Sequence, residues 1–131
     1  MKIQRIALSS IVLAVLVSCA SATSTAKTDP VSVVKAFYAA ENANNLDAAM
    51  ALIADDAVFT FPQFGEHRGK DEIREWEQFA MEKGGEFELS HIQSTGDTVT
   101  FTAQFLWMGL HIEHDYEIVV WDGKIKSLTA R

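Results

Sequence analysis

The chain has 131 residues, with 18 acidic against 11 basic residues, 48% hydrophobic residues and a single cysteine. This length supports one hydrophobic core, and a hydrophobic share near one half excludes a disordered chain. The formal net charge of −7 argues against a nucleic-acid partner, because phosphate groups would be repelled. Composition therefore predicts one globular domain, preceded by the export signal described next.

The first residues have the pattern of a secretory signal. Lys2 and Arg5 precede an apolar run from Ile6 to Val17, which is shorter than the ~20 residues needed to span a bilayer. We expect residues 1–18 to be a signal peptide. The small and polar residues 19–28 then predict a flexible tether.

The end of the apolar run, Leu16-Val17-Ser18-Cys19, resembles the lipobox of bacterial lipoproteins. The resemblance implies that Cys19 is lipidated and holds the protein in the cell envelope, at the outer membrane on its periplasmic side in a Gram-negative host. Residues 1–18 contain two basic and no acidic residues, so the mature chain would carry a charge of −9 and bind the membrane only through its acyl chains. The alternative is ordinary cleavage after Ala22, which would release a periplasmic or secreted protein.

Three helices are predicted in the first half of the domain, which spans residues 29–131. Asp29-Pro30 provides an N-cap and a first-turn proline, so a helix is expected from there to about Ala43. Apolar spacing predicts a short second helix from Leu46 to Ile53 and a third from Lys70 to Lys83. Between the last two we expect a strand over residues 57–61 that ends at Pro62, followed by a loop.

The second half of the domain alternates with a period of two and predicts antiparallel strands. Apolar residues share one side of residues 99–107, and the same holds from Ile112 to Val120. Shorter strands are expected around Phe87 to His91 and from Lys124 to Ala130. Three helices followed by consecutive strands predict an α+β fold, with the helices on one face of the sheet.

Several short motifs, taken together, resemble the nuclear transport factor 2-like superfamily, and within it the SnoaL-like and ketosteroid-isomerase-like proteins. The similarity extends from Pro30 to Arg131 and is carried by Val33–Ala40, Leu46-Asp47, Ala54–Ala57, Arg68–Arg74 and Asp122–Ile125. It implies a cone-shaped, cystatin-like fold, in which a strongly bent and mainly antiparallel sheet wraps around three helices. It also implies an apolar pocket inside the cone and a homodimer formed through the outer sheet face.

The resemblance also places the catalytic positions of these families on this chain. The tyrosine and the two aspartates of the isomerases fall at Phe37, Phe61 and Tyr116, and a phenyl ring can neither abstract a proton nor stabilise an oxyanion. The cyclases have an acidic base on the last strand, where this chain offers Ser127, Thr129 and Arg131. The isomerase reaction is therefore not expected, and the family's catalytic carboxylates are missing from these positions.

Strand alternation singles out His114 and Tyr116 as the best candidates for chemistry. They share a face with Ile112, Ile118 and Val120, which are expected to point at the helices. Residues two apart on a strand are about 6.6 Å apart, a spacing suited to holding one small ligand at two points. An unperturbed histidine titrates near ~6.5, so His114 is the candidate acid or base, unless both residues are simply satisfied core groups.

Other polar residues are weaker candidates. His91 is expected on the side of Phe87, Tyr38 and Glu41 could reach the pocket mouth, and Phe64 and His67 lie in the loop where the resemblance places a lid. His111, Glu113, Asp115 and Glu117 share the opposite face of the His114 strand. They fit a solvated or dimer-facing stripe better than a metal site, so neither a metal nor a cofactor is predicted.

The preferred hypothesis is a lipid-anchored protein that binds a small apolar molecule. Its pocket would be lined by aliphatic, aromatic and imidazole side chains, namely Val33, Phe37, Phe61, Trp76, His91, Phe101, His114, Tyr116, Ile118 and Leu128. One alternative is an isomerase, dehydratase or hydrolase that uses His114 as acid or base and Tyr116 as hydrogen-bond donor. The other is a dimeric interaction module whose interior is filled by its own side chains.

Overall fold

The structure is a computed structural model that describes residues 27–131. The predicted signal peptide, Cys19 and most of the tether lie outside the described residues. Three helices and six strands follow in chain order: α1 (Pro30–Asn42), α2 (Leu46–Ala51), β1 (Ile53–Phe61), β2 (Gly65–Arg68), α3 (Gly69–Lys83), β3 (Gly84–Thr95), β4 (Thr98–Trp107), β5 (Leu110–Trp121) and β6 (Lys124–Ala130).

The six strands form one mixed sheet in the order β2-β1-β6-β5-β4-β3. Every neighbouring pair is antiparallel except β1 and β6, which run parallel. α1 packs on β3 to β6 and α3 packs mainly on β1, so both helices cover the same face of the curved sheet. This arrangement confirms the predicted α+β, cystatin-like fold.

Local sequence explains where α1 begins and how it is held. The Asp29 side chain accepts a hydrogen bond from the Val31 amide, and Pro30 occupies the first helical position. At the other end, the Asn42 side chain accepts from the Phe87 amide at 2.7 Å and donates to the Phe87 carbonyl at 2.9 Å. This pair of bonds fixes the last turn of α1 against β3.

Two element boundaries differ from the sequence prediction. β1 begins at Ile53 rather than Ala57, because Ile53 pairs with Ile125 of β6 although its spacing from Met50 suggested a helix. The segment predicted as a loop contains the short strand β2, in which Gly65 to Arg68 pair with Phe61 to Val58. Its residues are mostly exposed, so no hydrophobic alternation marked it.

The first described residues lie against the turns at one end of the sheet. Lys27 forms an ion pair with Asp97 at 2.7 Å in the β3–β4 turn, and the Asp97 carbonyl accepts from the Val120 amide. The Thr28 side chain lies beside Gly123 in the β5–β6 turn. The β4–β5 turn around Met108 is at the opposite end of these strands.

Candidate functional site

A cavity of about 100 Å³ lies between the helices and the sheet. Its walls come from α1, α3, the β1–β2 connection and strands β3 to β6. This space suits a compact chemical group rather than a whole drug-sized ligand. The exposed side chain of Phe64 lies on its outer rim.

Aromatic rings make up most of the cavity wall. On one side Trp76 packs against Phe61 and Phe64, with ring centroids 4.6 and 4.9 Å apart, and is nearly parallel to Trp107. The other side is formed by Tyr38, Phe87, Phe105 and Tyr116, where Tyr38 and Phe87 are 5.0 Å apart and Phe87 and Phe105 4.8 Å apart. Aromatic rings therefore form most of the wall on both sides of the space.

Two carboxyl groups interrupt this apolar wall. Glu41 near the end of α1 and Glu77 in α3 are only 7% and 4% exposed, and both line the cavity. Their side chains hydrogen-bond to each other. No ion pair among residues 27–131 involves either of them. We call this pair the Glu41–Glu77 dyad.

Burial changes the protonation of the dyad. Removal from water raises the pKa of Glu41 above its ordinary value, although the hydrogen bond from Glu77 partly offsets this rise. For Glu77 burial, the hydrogen bond with Glu41 and repulsion by the Glu41 charge all raise the pKa, and it lies well above the usual range. Burial and the mutual hydrogen bond therefore favour keeping a proton on the dyad, and Glu77 has the more strongly raised pKa of the two.

The Glu41 carboxylate has an unused acceptor. Its Oε1 atom is buried and has no hydrogen-bond partner among the described residues. A buried acceptor without a partner costs about 1–3 kcal/mol, and a charged one costs more. A hydrogen-bond donor or a positive charge on a ligand would therefore be stabilised next to Glu41.

Tyr116 and His114 occupy the wall as strand alternation predicted. Tyr116 is 6% exposed, and its ring stacks on Phe101 with centroids 5.5 Å apart. His114 is half-buried, and its Nδ1 lies 3.2 Å from the Arg131 carbonyl oxygen. Burial raises the pKa of both Tyr116 and Tyr38, and the nearby Glu77 raises both further, so each phenol keeps its proton and can act as a donor.

Of the ten predicted ligand-binding residues, six line the cavity: Phe37, Phe61, Trp76, His114, Tyr116 and Leu128. Val33, Phe101 and Ile118 are buried in the core but do not reach the cavity. His91 is exposed and away from it. Phe64 lies on the rim, and His67 stacks on Trp76 with centroids 4.8 Å apart.

A β-bulge explains the different position of His91. The pairing of β3 with β4 shifts between Ser90, opposite Thr102, and Gln93, opposite Thr100. His91 and Ile92 therefore share one position on β3, and His91 takes a positive φ of 52°. Ile92 packs against the core in its place. Simple alternation from Phe87 could not include this extra residue.

Sequence reasoning missed Glu77 altogether and gave Glu41 a minor role. Glu77 follows Ile73 by four residues and precedes Ala80 by three, so it lies on the buried stripe of α3. Glu41 follows Phe37 by four residues on α1 in the same way. A carboxylate at a core-facing helix position is the signal that marks both residues.

The remaining polar stripe of β5 has ordinary cross-strand partners. Thr102 donates to Asp115 at 2.7 Å and Gln104 donates to Glu113 at 2.6 Å. Within residues 27–131 no group of three or more His, Cys, Asp or Glu side chains is placed to hold a metal ion. In the same range no helix is long and apolar enough to cross a membrane.

Solved structures with the same fold have various names. An "NTF2-like protein of unknown function" from Cytophaga hutchinsonii has 18% identity and a TM-score of 0.73, covering 82% of this chain and 92% of its own. A "putative polyketide cyclase" from Sinorhizobium meliloti has 23% identity and a TM-score of 0.71, covering 76% and 94%. An epoxide hydrolase from M. tuberculosis, described as LEH-like, has 22% identity and a TM-score of 0.67, covering 79% and 82%.

These identities are low, so the structural matches establish the fold alone. A search of the curated proteins found no match. The sequence model of the SnoaL-like domain, however, matches residues 34–126, which include both carboxyls and nearly the whole sheet. On that match, with the helix-lined cavity in a curved sheet, the chain belongs to the SnoaL-like domain family.

Proposed function

We propose that this domain binds a small, largely apolar molecule in the cavity between its helices and sheet. The observation that carries the proposal is the cavity itself, an aromatic-walled space of about 100 Å³ in an otherwise close-packed core. Protein interiors leave few such spaces, and removing apolar ligand surface from water contributes about 25 cal/mol per Å². His114 and Tyr116 would orient the ligand with their polar atoms.

A fragment screen with a blocking variant tests this proposal. Ala80 lines the cavity, so Ala80→Leu should fill part of the space and weaken fragment binding. Ala36→Leu makes the same change on the exposed side of α1 and serves as the control. We expect apolar fragments to raise the melting temperature of the wild type and of Ala36→Leu but not of Ala80→Leu. A screen in which no fragment stabilises the wild type would contradict the proposal.

A second candidate function is proton transfer on a bound substrate, in an isomerase, dehydratase or hydrolase. The specific observation is the Glu41–Glu77 dyad, a pair of hydrogen-bonded carboxyl groups on the wall of the cavity that His114 also lines. Solved structures with the same fold include a putative ketosteroid isomerase and an LEH-like epoxide hydrolase. A pair of carboxyl groups can accept a proton at one oxygen and return one from another.

This catalytic alternative can be tested with substitutions once a substrate is found. His114→Gln should reduce turnover by roughly 10²–10⁴ if the imidazole moves the proton. Glu41→Gln should have an effect of that size if the dyad does so instead. Unchanged turnover in both variants would exclude acid–base roles for all of these groups.

Attachment to the envelope through Cys19, with a signal peptide over residues 1–18, is a further proposal. It is supported by the lipobox-like run before Cys19. Expression of the full chain with Cys19→Ser should move the protein from the membrane fraction to the soluble fraction. Mass spectrometry of a mature chain that starts after Ala22 would instead support a released protein.

We also propose that two copies associate through the outer face of the sheet. That face carries the hydrogen-bonded polar stripe of β4 and β5, and Trp121, with 61% of its surface exposed, lies at the end of β5. Light scattering on the mature domain should give twice the monomer mass. A monomer at micromolar concentration would contradict this proposal.

A further inference from the structure

The cavity combines two features that an apolar ligand alone does not require. The first is the Glu41 carboxyl group on the cavity wall, which is more than nine-tenths buried and has one oxygen without a hydrogen-bond partner among the described residues. The second is the number of aromatic rings around it, including both Trp76 and Trp107. Burying a carboxylate away from water costs free energy unless a hydrogen-bond donor or a cation pairs with it. A ligand that carries such a group would supply the missing partner.

Among residues 27–131, no arginine or lysine lines the cavity or pairs with either carboxyl group of the dyad. The titratable residues on the cavity wall are Tyr38 and Glu41 on α1, Glu77 on α3, and His114 and Tyr116 on β5. The two phenols stay neutral, so His114 is the only group on the wall that can become positive. It is half-buried and its Nδ1 faces the Arg131 carbonyl, which leaves the carboxylate without a fixed cationic partner.

We propose that the ligand of this cavity carries a compact organic cation, such as an alkylated ammonium group, which sits between the aromatic rings and the Glu41–Glu77 dyad. The inference rests on the proposed binding function and adds the chemical class of the ligand. Aromatic faces attract cations, and desolvated contacts of this kind contribute ~2 kcal/mol or more. The rest of the molecule would pass out over the exposed rim at Phe64.

The size of the cavity favours a head group of a few heavy atoms. The cavity of about 100 Å³ is smaller than the 150 Å³ of an engineered cavity that binds benzene, so it suits a compact group of trimethylammonium size and not a fused-ring system. A quaternary ammonium also has no proton of its own to lose. Its binding therefore reports the charge of the dyad directly.

A matched pair of probes tests the charge. Choline and 3,3-dimethylbutan-1-ol have nearly the same shape and differ by one nitrogen and its positive charge. We expect calorimetry or ligand-observed NMR on the mature domain at neutral pH to give choline at least tenfold higher affinity. Equal or tighter binding of the alcohol would overturn the inference while leaving small-molecule binding intact. Binding of neither probe would also overturn it, and the fragment screen then decides the proposed function separately.

Substitutions test whether the Glu41–Glu77 dyad causes the preference for choline over the alcohol. Glu41→Gln with Glu77→Gln keeps the shape of the dyad but removes its charge, so choline affinity should fall about tenfold, to that of the alcohol. Glu75→Gln makes the same change on the exposed face of α3 and should leave both affinities unchanged. A choline preference that survives in the folded double variant would contradict the assignment.

A pH series on the wild type needs no substitution and so covers the case in which the double variant does not fold. Lowering the pH protonates the dyad, and the fold preference for choline over the alcohol should decrease. The series is repeated on His114→Gln, which removes the imidazole from the cavity wall. A preference that stays constant down to pH 4 in both proteins would overturn the inference.

Discussion

The two ends of the core differ in chemistry although the same elements build both. On α1, Val34 is fully buried among apolar neighbours, and Glu41, seven residues later on the same face, lines the cavity. On β5, Ile118 is enclosed by the core while His114, four residues earlier, reaches the cavity wall. The comparison shows that the end around Val34 and Ile118 stabilises the fold. The end around Glu41 and His114 contains a cavity and buried polar groups, which do not favour folding.

The largest loss of stability is expected in the apolar part of the core that does not line the cavity, which we call the closed end. Phe59 on β1 is completely buried, and its ring packs edge-on against Phe37 at 6.2 Å. Phe59→Ala should lower the free energy of unfolding by about 3–5 kcal/mol, because it removes apolar contacts and leaves a void. Urea denaturation measures this change. A loss under 1 kcal/mol would show that the closed end is not the better-packed region.

At the cavity we expect a substitution to raise the free energy of unfolding instead of lowering it. Replacing both Glu41 and Glu77 by leucine removes the buried charge and fills part of the space, so the free energy of unfolding should rise by about 1–4 kcal/mol. The same denaturation experiment measures it, with Glu75→Leu on the exposed face of α3 as the control. A less stable double variant would mean that the dyad supports the fold.

The pH dependence of the free energy of unfolding tests the same difference between the two ends of the core. Because the pKa values of Glu41 and Glu77 are raised in the folded state above their ordinary value of 4.5, the folded protein binds more protons than the unfolded chain above that pH. The dyad therefore lowers stability as pH rises from about 4.5 toward the raised pKa values, and this penalty is absent in acid.

The difference in unfolding free energy between the double leucine variant and the wild type should accordingly shrink as the pH falls to about 4.5. Taking the difference cancels other titrating groups, such as Asp56, whose pKa is lowered by its hydrogen bond to Lys126. A difference that grows in acid would contradict the protonation assigned to the dyad.

The smallest stability effect is expected at the edge of the cavity. His114 is half-buried and its contact with the Arg131 carbonyl is near the chain end, so His114→Gln should change the free energy of unfolding by no more than about 0.5 kcal/mol. Thermal denaturation next to the wild type checks this. A loss above 2 kcal/mol would place His114 among the residues that hold the fold.

The sequence predicted the closed end better than the cavity end. Regular periods located the helices and the inward side of β5, including His114 and Tyr116, because burial repeats with the geometry of each element. The bulge that turns His91 outward depends on pairing with β4, which no local pattern encodes. Glu77 was missed because its charge suggested solvent, although its spacing from Ile73 placed it on the buried stripe.

The ion pair of Lys27 with Asp97 fixes the start of the described chain at the end of the sheet away from the cavity. From there to Trp107, β4 extends over ten residues, or roughly 30 Å of strand. If Cys19 carries a lipid, the anchored segment would enter the domain at the end of the sheet opposite the cavity. The anchor and a ligand in the cavity would then contact separate parts of the domain.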